Sequence, residues 1–460
     1  NEVTPALKDF GNLILDGAKN TADHTSIAEE RQRLDLGLES RIKKPEDREF
    51  FRKEMDEFEK RAVKDGLTPE EVSQTYKEIG RLMEENKEAI VPQDRRLLLA
   101  KQVLHQAAYP HDIDQGYHKT CNVSSLSERL YARNPAQADR VVADLALSSD
   151  ASFQTASGKK VSIDKDSMKP DQEAEIDPVP DGKRSYANQL LQLAMVNAYW
   201  TGRNEHDGVK CRGPIKYTQE HSVSKNNSGE RLKDASGKLL GTEPGISHAG
   251  MVETYRMFSN QKDKDKPFLI VDKSMSADKV KAEDGSNGLI FVNTPEQLKT
   301  EILKHQAEKN MPLIVSIDPK MEPWLSAGAS SSTHGDGVNT SKPRGAEISD
   351  SDRPIRDSMN EIDPDEKLRG NVEPKPSADG PQPKPELPND PPHVINIVAS
   401  YQNKEGKWMV AISNTWGKKS DFTMPLDQLH ATLARRRDGK ESNDLDINNI
   451  FDLTRDNTEK

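Results

Sequence analysis

The chain has only two cysteines, Cys121 and Cys211, and their surroundings differ in kind. Cys121 closes the segment QGYHKTC and leads into NVSSLSERL, where Val123, Leu126 and Leu130 fall on one face of a helix. A thiol at a helix N-terminus meets the positive end of the aligned peptide dipoles. That field, like a nearby imidazolium, favours the thiolate, which is the nucleophilic form. Gln115 lies six residues earlier, in the loop that leads to this helix. Its amide, together with the Cys121 N–H, can donate to the oxyanion of a tetrahedral intermediate. These residue types support acyl transfer through a thiol.

A base for that thiol comes from the far end of the chain. HVINIVASYQ and KWMVAISNTWG read as the two arms of a β-hairpin that turns through 403–406. With Gln402 and Lys407 flanking the turn, His393 falls opposite Trp416 and Asn414 opposite Ile395. His393 and Asn414 are then diagonal neighbours, a separation of about 7–8 Å that side chains can close. An Asn oxygen that accepts from one imidazole N–H fixes the tautomer and aims the other nitrogen outward. Trp416 is read as shielding that bond from water, as a core residue, or as both.

Taken together, these residues resemble the papain and calpain superfamily of cysteine peptidases. The family carries Gln, five intervening residues and then Cys, matched by Gln115 to Cys121. Its catalytic His opens a strand, matched by PPHVINI, and Asn-x-Trp-Gly ends the partner strand, matched by Asn414 to Gly417. The order Gln, Cys, His, Asn is also the same. More loosely, GTEPGISHAGMVETYRMF is similar to the cleft wall of calpain-like members, and MPLIVSID to the strand before the catalytic His. The resemblance implies catalytic roles for Cys121, His393, Asn414 and Gln115, a peptide or protein substrate, and no cofactor or metal. The chain departs from the pattern of papain itself in having Asn122 rather than Trp after the cysteine, and no disulfides.

Elements must exist to position these groups. Residues 20–90 are highly charged, with Phe50, Phe51, Met55 and Phe58 on one stripe. Thr68-Pro69-Glu70-Glu71 predicts a capped helix start, with Val72, Tyr76, Ile79 and Met83 on the buried face. Helices are expected over 95–108, from Cys121, from Asn134-Pro135 to 147, over 186–200 and near 248–258. The stretch 201–245, rich in Gly, Lys, Ser and Asn, is expected to be loop. Strands are expected at 268–271, 289–292 and 312–317, with a helix from Thr294 to about 309 between the last two.

From 321 to 390 Ser, Gly, Asp and Pro dominate, so a mobile insertion is expected there. Helices first and strands second predict an α+β protein. The resemblance makes it a papain-like fold, with a helical left subdomain at 95–265 and a β-rich right subdomain at 266–460. Residues 1–94 form a helical region ahead of both, read as packing or as an inhibitory or targeting segment.

Other residues have plainer uses. A Cys121–Cys211 bridge would compete with catalysis, and Cys211 reads otherwise as a small buried or exposed thiol. His118 is a rival base, expected to face solvent without an orienting partner. His334 falls in the insertion, and His248 and His305 read as surface or packing residues. Arg435 to Arg437 complement a helix C-terminus.

Composition narrows the class. The net charge of -11 argues against nucleic acid as the main partner. No apolar run approaches 18 residues, so no membrane span is expected. A first residue of Asn1 instead of Met suggests a processed or trimmed chain. Localisation is therefore open between the cytoplasm and export without disulfides, and oligomeric state is not encoded.

Overall fold

The computed structural model describes residues 26–206, 208–224, 227–275, 288–321, 323–324 and 393–435. The charged amino-terminal stretch folds into α1 (Ile27–Arg41), α2 (Pro45–Asp65) and α3 (Pro69–Met83). Each start has a local cause. Ser26 and Glu29 form a reciprocal capping box on α1. The Thr68 hydroxyl accepts the Glu71 N–H at 3.2 Å ahead of Pro69 on α3. The stripes read from the sequence are buried: Phe51, Met55, Phe58, Val72, Tyr76, Ile79 and Met83 are all 2% exposed or less.

These helices pack on α4 (Gln93–Ala108) and, through α3, on a later helix of a bundle made by α5 (Cys121–Arg133), α6 (Pro135–Leu147), α7 (Tyr186–Trp200) and α8 (His248–Phe258), the contact being with α6. One apolar cluster runs from Ile27 through all of them into the strands, so the core is continuous across 94/95. Arg61 on α2 reinforces the join. Its Nε donates to Ala107 O at 2.7 Å, and its Nη atoms donate to Ala132 O at 3.0 Å and Tyr131 O at 3.1 Å. One guanidinium thereby satisfies last-turn carbonyls of both α4 and α5, which have no partner within their own helices.

The expectation of loop over 201–245 is corrected. After the hairpin β1 (Ser152–Gln154) and β2 (Lys160–Ser162), this stretch contains a second hairpin, β3 (Glu205–His206) with β4 (Val209–Lys210). It also holds an antiparallel meander of β5 (Lys216–Gln219), β6 (Glu230–Lys233) and β7 (Leu239–Gly241). Its buried cross-strand pairs are Tyr217 with Leu232, which is apolar, and Gln219 with Glu230, which is polar. Strands of four residues or fewer carry too few apolar positions to reveal a period of two.

The second half forms a six-stranded sheet in the order β13-β12-β11-β10-β8-β9. Its strands are β8 (Leu269–Asp272), β9 (Leu289–Val292), β10 (Leu313–Ile317), β11 (His393–Gln402), β12 (Trp408–Ser413) and β13 (Phe422–Pro425). β8 is parallel to both β9 and β10, with α9 (Pro295–Ala307) connecting β9 to β10, and the remaining pairs are antiparallel. The protein is therefore α+β.

Ile317 pairs with His393, so the chain leaves the sheet and returns to it on adjacent strands. Most of the 321–390 segment lies outside the described residues, as do His334, Arg436, Arg437 and residues 1–25. Trp324, at its start, is buried against Phe422 with ring centroids 5.2 Å apart. Helix α10 (Leu426–Ala431) follows β13, and Arg435 donates to His430 O at 3.1 Å, as a C-terminal cation should.

Candidate active site

Cys121 is the first residue of α5, as the sequence predicts. No side chain caps this helix start, because the Thr120 hydroxyl is engaged with Ser124 instead. Within the first turn the Val123 N–H donates to Asn122 Oδ1 at 2.8 Å, and the Asn122 N–H reaches the Cys121 sulfur. Both cysteines are free thiols, and no bridge joins Cys121 to Cys211.

His393 opens β11, and Asn414 directly follows β12. His393 Nε2 lies 3.0 Å from Asn414 Oδ1. Because that oxygen accepts, Nε2 carries the hydrogen and Nδ1 is the basic nitrogen. Trp416 stacks on the imidazole, with centroids 4.1 Å apart and planes 20° from parallel, so it covers the ring face beside the bond.

The hairpin register explains how this pair comes about. Near the turn the register differs from expectation, since Gln402 pairs with Trp408, one position further than read. A bulge between Ile397 and Ala399 restores the expected alignment, and Asn396 then pairs with Ser413. Without the bulge, Asn414 would be displaced from the His393 side of the ladder.

Gln115 is held on three sides. Its N–H donates to Thr415 O at 2.7 Å, its Oε1 accepts from the Thr415 hydroxyl at 2.9 Å, and its Nε2 donates to His118 O at 2.7 Å. One hydrogen on Nε2 remains for an oxyanion. Thr415 is the variable position of Asn-x-Trp-Gly, so the motif locks the Gln115 loop as well as the imidazole. The glycine of that motif has its own reason. Gly417 has φ 109°, and a Cβ there would lie 2.9 Å from the Gly182 backbone.

His118 corrects an expectation. It is buried, with Asp171 at 3.3 Å, Glu173 at 3.5 Å and Glu230 at 3.4 Å. Burial and Arg184 oppose its protonation, yet Glu230, Asp171 and Glu173 outweigh them and raise it to about 9. At neutral pH it is a charged, buried residue of the Gln115–Cys121 loop instead of a solvent-facing rival base. The three carboxylates that hold it come from a polar loop and a short strand, which no local pattern connects to QGYHKTC. The same cluster crowds Gly116, where a Cβ would collide with Glu173. His248 and His305 are both buried packing residues.

The electrostatics differ from what the helix N-terminus alone implies. Burial pushes the Cys121 thiol up to about 11, although the backbone amides of Val394 and Asn122 pull the other way. Burial likewise pushes His393 down to about 4, against the hydrogen bond it donates to Asn414. Desolvation is the largest influence on both groups.

The wall expected at 241–258 runs beside the cysteine, where Asn122 Nδ2 donates to Ile246 O at 3.2 Å. Among the described residues no group of three or more His, Cys, Asp or Glu is placed to hold a metal ion. None of the described helices is long and apolar enough to cross a membrane. No family model matches the chain, and no curated protein or solved structure matches it either.

Proposed function

We propose that this chain is a papain-like cysteine hydrolase that cleaves peptide bonds, with its helical half carrying Cys121 and its sheet carrying His393 and Asn414. One observation carries the reading: the His393 Nε2–Asn414 Oδ1 bond forms on the strand whose next residue, Val394, reaches Cys121 at an uncapped helix start. In this reading the helical half supplies the nucleophile, and the sheet supplies the base and the group that orients it.

In this mechanism the Cys121 proton passes to His393 Nδ1 as sulfur bonds to the substrate carbonyl carbon. The oxyanion receives hydrogen bonds from Gln115 Nε2 and the Cys121 N–H. Collapse breaks the C–N bond, and the leaving amine takes the proton from His393. Water then attacks the thioester, again giving its proton to His393, and release of the acid restores the thiol.

The test is mass spectrometry of protein substrates after incubation with the wild type and with Cys121→Ala. Cleavage products that appear only with the wild type are expected. A deamidation shift or an amine cross-link would assign the same triad to a deamidating or transglutaminase-like enzyme. No covalent change, together with inertness to thiol-directed affinity probes, would make it a binding scaffold.

A further inference from the structure

Glu128 lies two turns after Cys121 on the same face of α5 and is fully buried. Strand β11 runs along that face. The Val394 N–H reaches the Cys121 sulfur, the Ser125 hydroxyl donates to Val394 O at 3.4 Å, and Asn396 Nδ2 donates to Glu128 Oε2 at 2.5 Å. Ser413, which immediately precedes Asn414, donates to the same oxygen at 3.0 Å. The other oxygen holds His111 Nδ1 at 2.5 Å, from the turn that precedes the Gln115 loop. Four pieces of the site thus converge on one carboxylate: the nucleophile helix, the histidine strand, the asparagine strand and the oxyanion loop. Hydrogen bonds to a buried carboxylate are short and directional, which an apolar contact is not. Losing the acceptor leaves buried donors unsatisfied, so the strands are held to one register against the helix.

We propose that Glu128 is the positioning residue that sets the spacing between Cys121 and the His393–Asn414 pair, so that thiol and imidazole share their proton in the free protein. The inference rests on the proposed hydrolase reading. A shared proton makes the thiolate fraction nearly constant across neutral pH. A separated thiol instead gains thiolate tenfold with each pH unit below its own pKa.

The experiment follows iodoacetamide labelling of the full chain from pH 5 to 9, with peptide mass spectrometry separating Cys121 from Cys211 and thermal melts recorded for each variant. The wild type should give a flat Cys121 rate. Glu128→Ala and Ser413→Ala should lose the plateau, with the rate at pH 6 reduced by at least about tenfold, the scale expected for a misplaced reacting group. Glu128→Gln should keep the plateau, because its oxygen still accepts from Asn396 and Ser413 and its NH2 can donate to His111 in the other tautomer. If Glu128→Ala does not fold, Ser413→Ala and Glu128→Gln decide. A plateau retained in the Ala variants, or a rate lowered equally at every pH, overturns the positioning role while the hydrolase reading stands. Loss of the plateau in Glu128→Gln with Ser413→Ala unaffected would also overturn it, since charge and not geometry would then be responsible. A wild-type rate that climbs steadily with pH overturns both.

Discussion

At the scale of single residues, the proposed hydrolase mechanism assigns separate roles that mutation can tell apart. Cys121→Ala and His393→Ala should each abolish turnover, because nucleophile and base act as one unit. Gln115→Ala should lower kcat by about 10²–10³, the usual cost of losing one oxyanion donor. Asn414→Ala should be milder than His393→Ala, since Asn414 orients the ring and transfers no proton. These losses are measured as kcat on any cleaved protein substrate. Full activity in His393→Ala would refute the base assignment. With its value lowered to about 4, His393 takes up a proton from solution only under acid conditions. The acid limb of kcat/KM should therefore fall near pH 4 and not near the ordinary histidine value of about 6.5.

Between elements, two charged residues hold the site-bearing pieces in place. Arg61 caps α4 and α5 together, so Arg61→Ala strips three hydrogen bonds from two helix ends. A loss of roughly 2–4 kcal/mol is expected, read from urea unfolding, as for other buried charged hydrogen bonds. Arg61→Lys should recover only a minor part, because an ammonium cannot reach three carbonyls in a planar fork. His118 has a pH signature. Its folded value of about 9 exceeds the unfolded value of about 6.5, so the folded state holds the proton more tightly. That stabilisation is complete below about pH 6.5 and is lost as pH rises through about 9. The melting temperature of the wild type should therefore fall between pH 7 and pH 9.5 more steeply than that of His118→Gln. Parallel slopes would show that the cluster does not bind a proton on folding.

For the whole molecule, the sheet makes residues 326–388 separable from the site. Because Ile317 and His393 are paired neighbours, a short connection can span the gap. Shortening a loop several-fold changes its closure cost by only about 1–2 kcal/mol. Replacing 326–388 with a flexible Gly/Ser linker, while keeping Trp324 against Phe422, should leave a folded protein whose Cys121 still reacts with iodoacetamide. An unfolded product would mean that the segment supplies part of the core. The amino-terminal helices are in the opposite position. Their buried face belongs to the same apolar cluster as α5, so their removal would expose that core.

The sequence by itself determined the long helices, five of the six strands of the large sheet (all but β13), the start of α5 at Cys121 and the pairing of His393 with Asn414. Each rests on a local signal: an N-cap, an apolar period, or a hairpin whose two arms fix their own alignment. Even the misread turn register did no harm, because the bulge beside Val398 returned the strands to the expected pairing. What only the tertiary structure decided comes from partners remote in sequence. The carboxylates around His118 lie more than 50 residues away, as do the strands that engage Glu128. The short strands of 201–245 show no apolar period, because two of the inward positions of β5 and β6, Gln219 and Glu230, are polar and only Tyr217 and Leu232 are apolar. The protonation of Cys121 and His393 also required the fold. A helix dipole can be read from a sequence, but the desolvation that opposes it depends on everything packed around the pair.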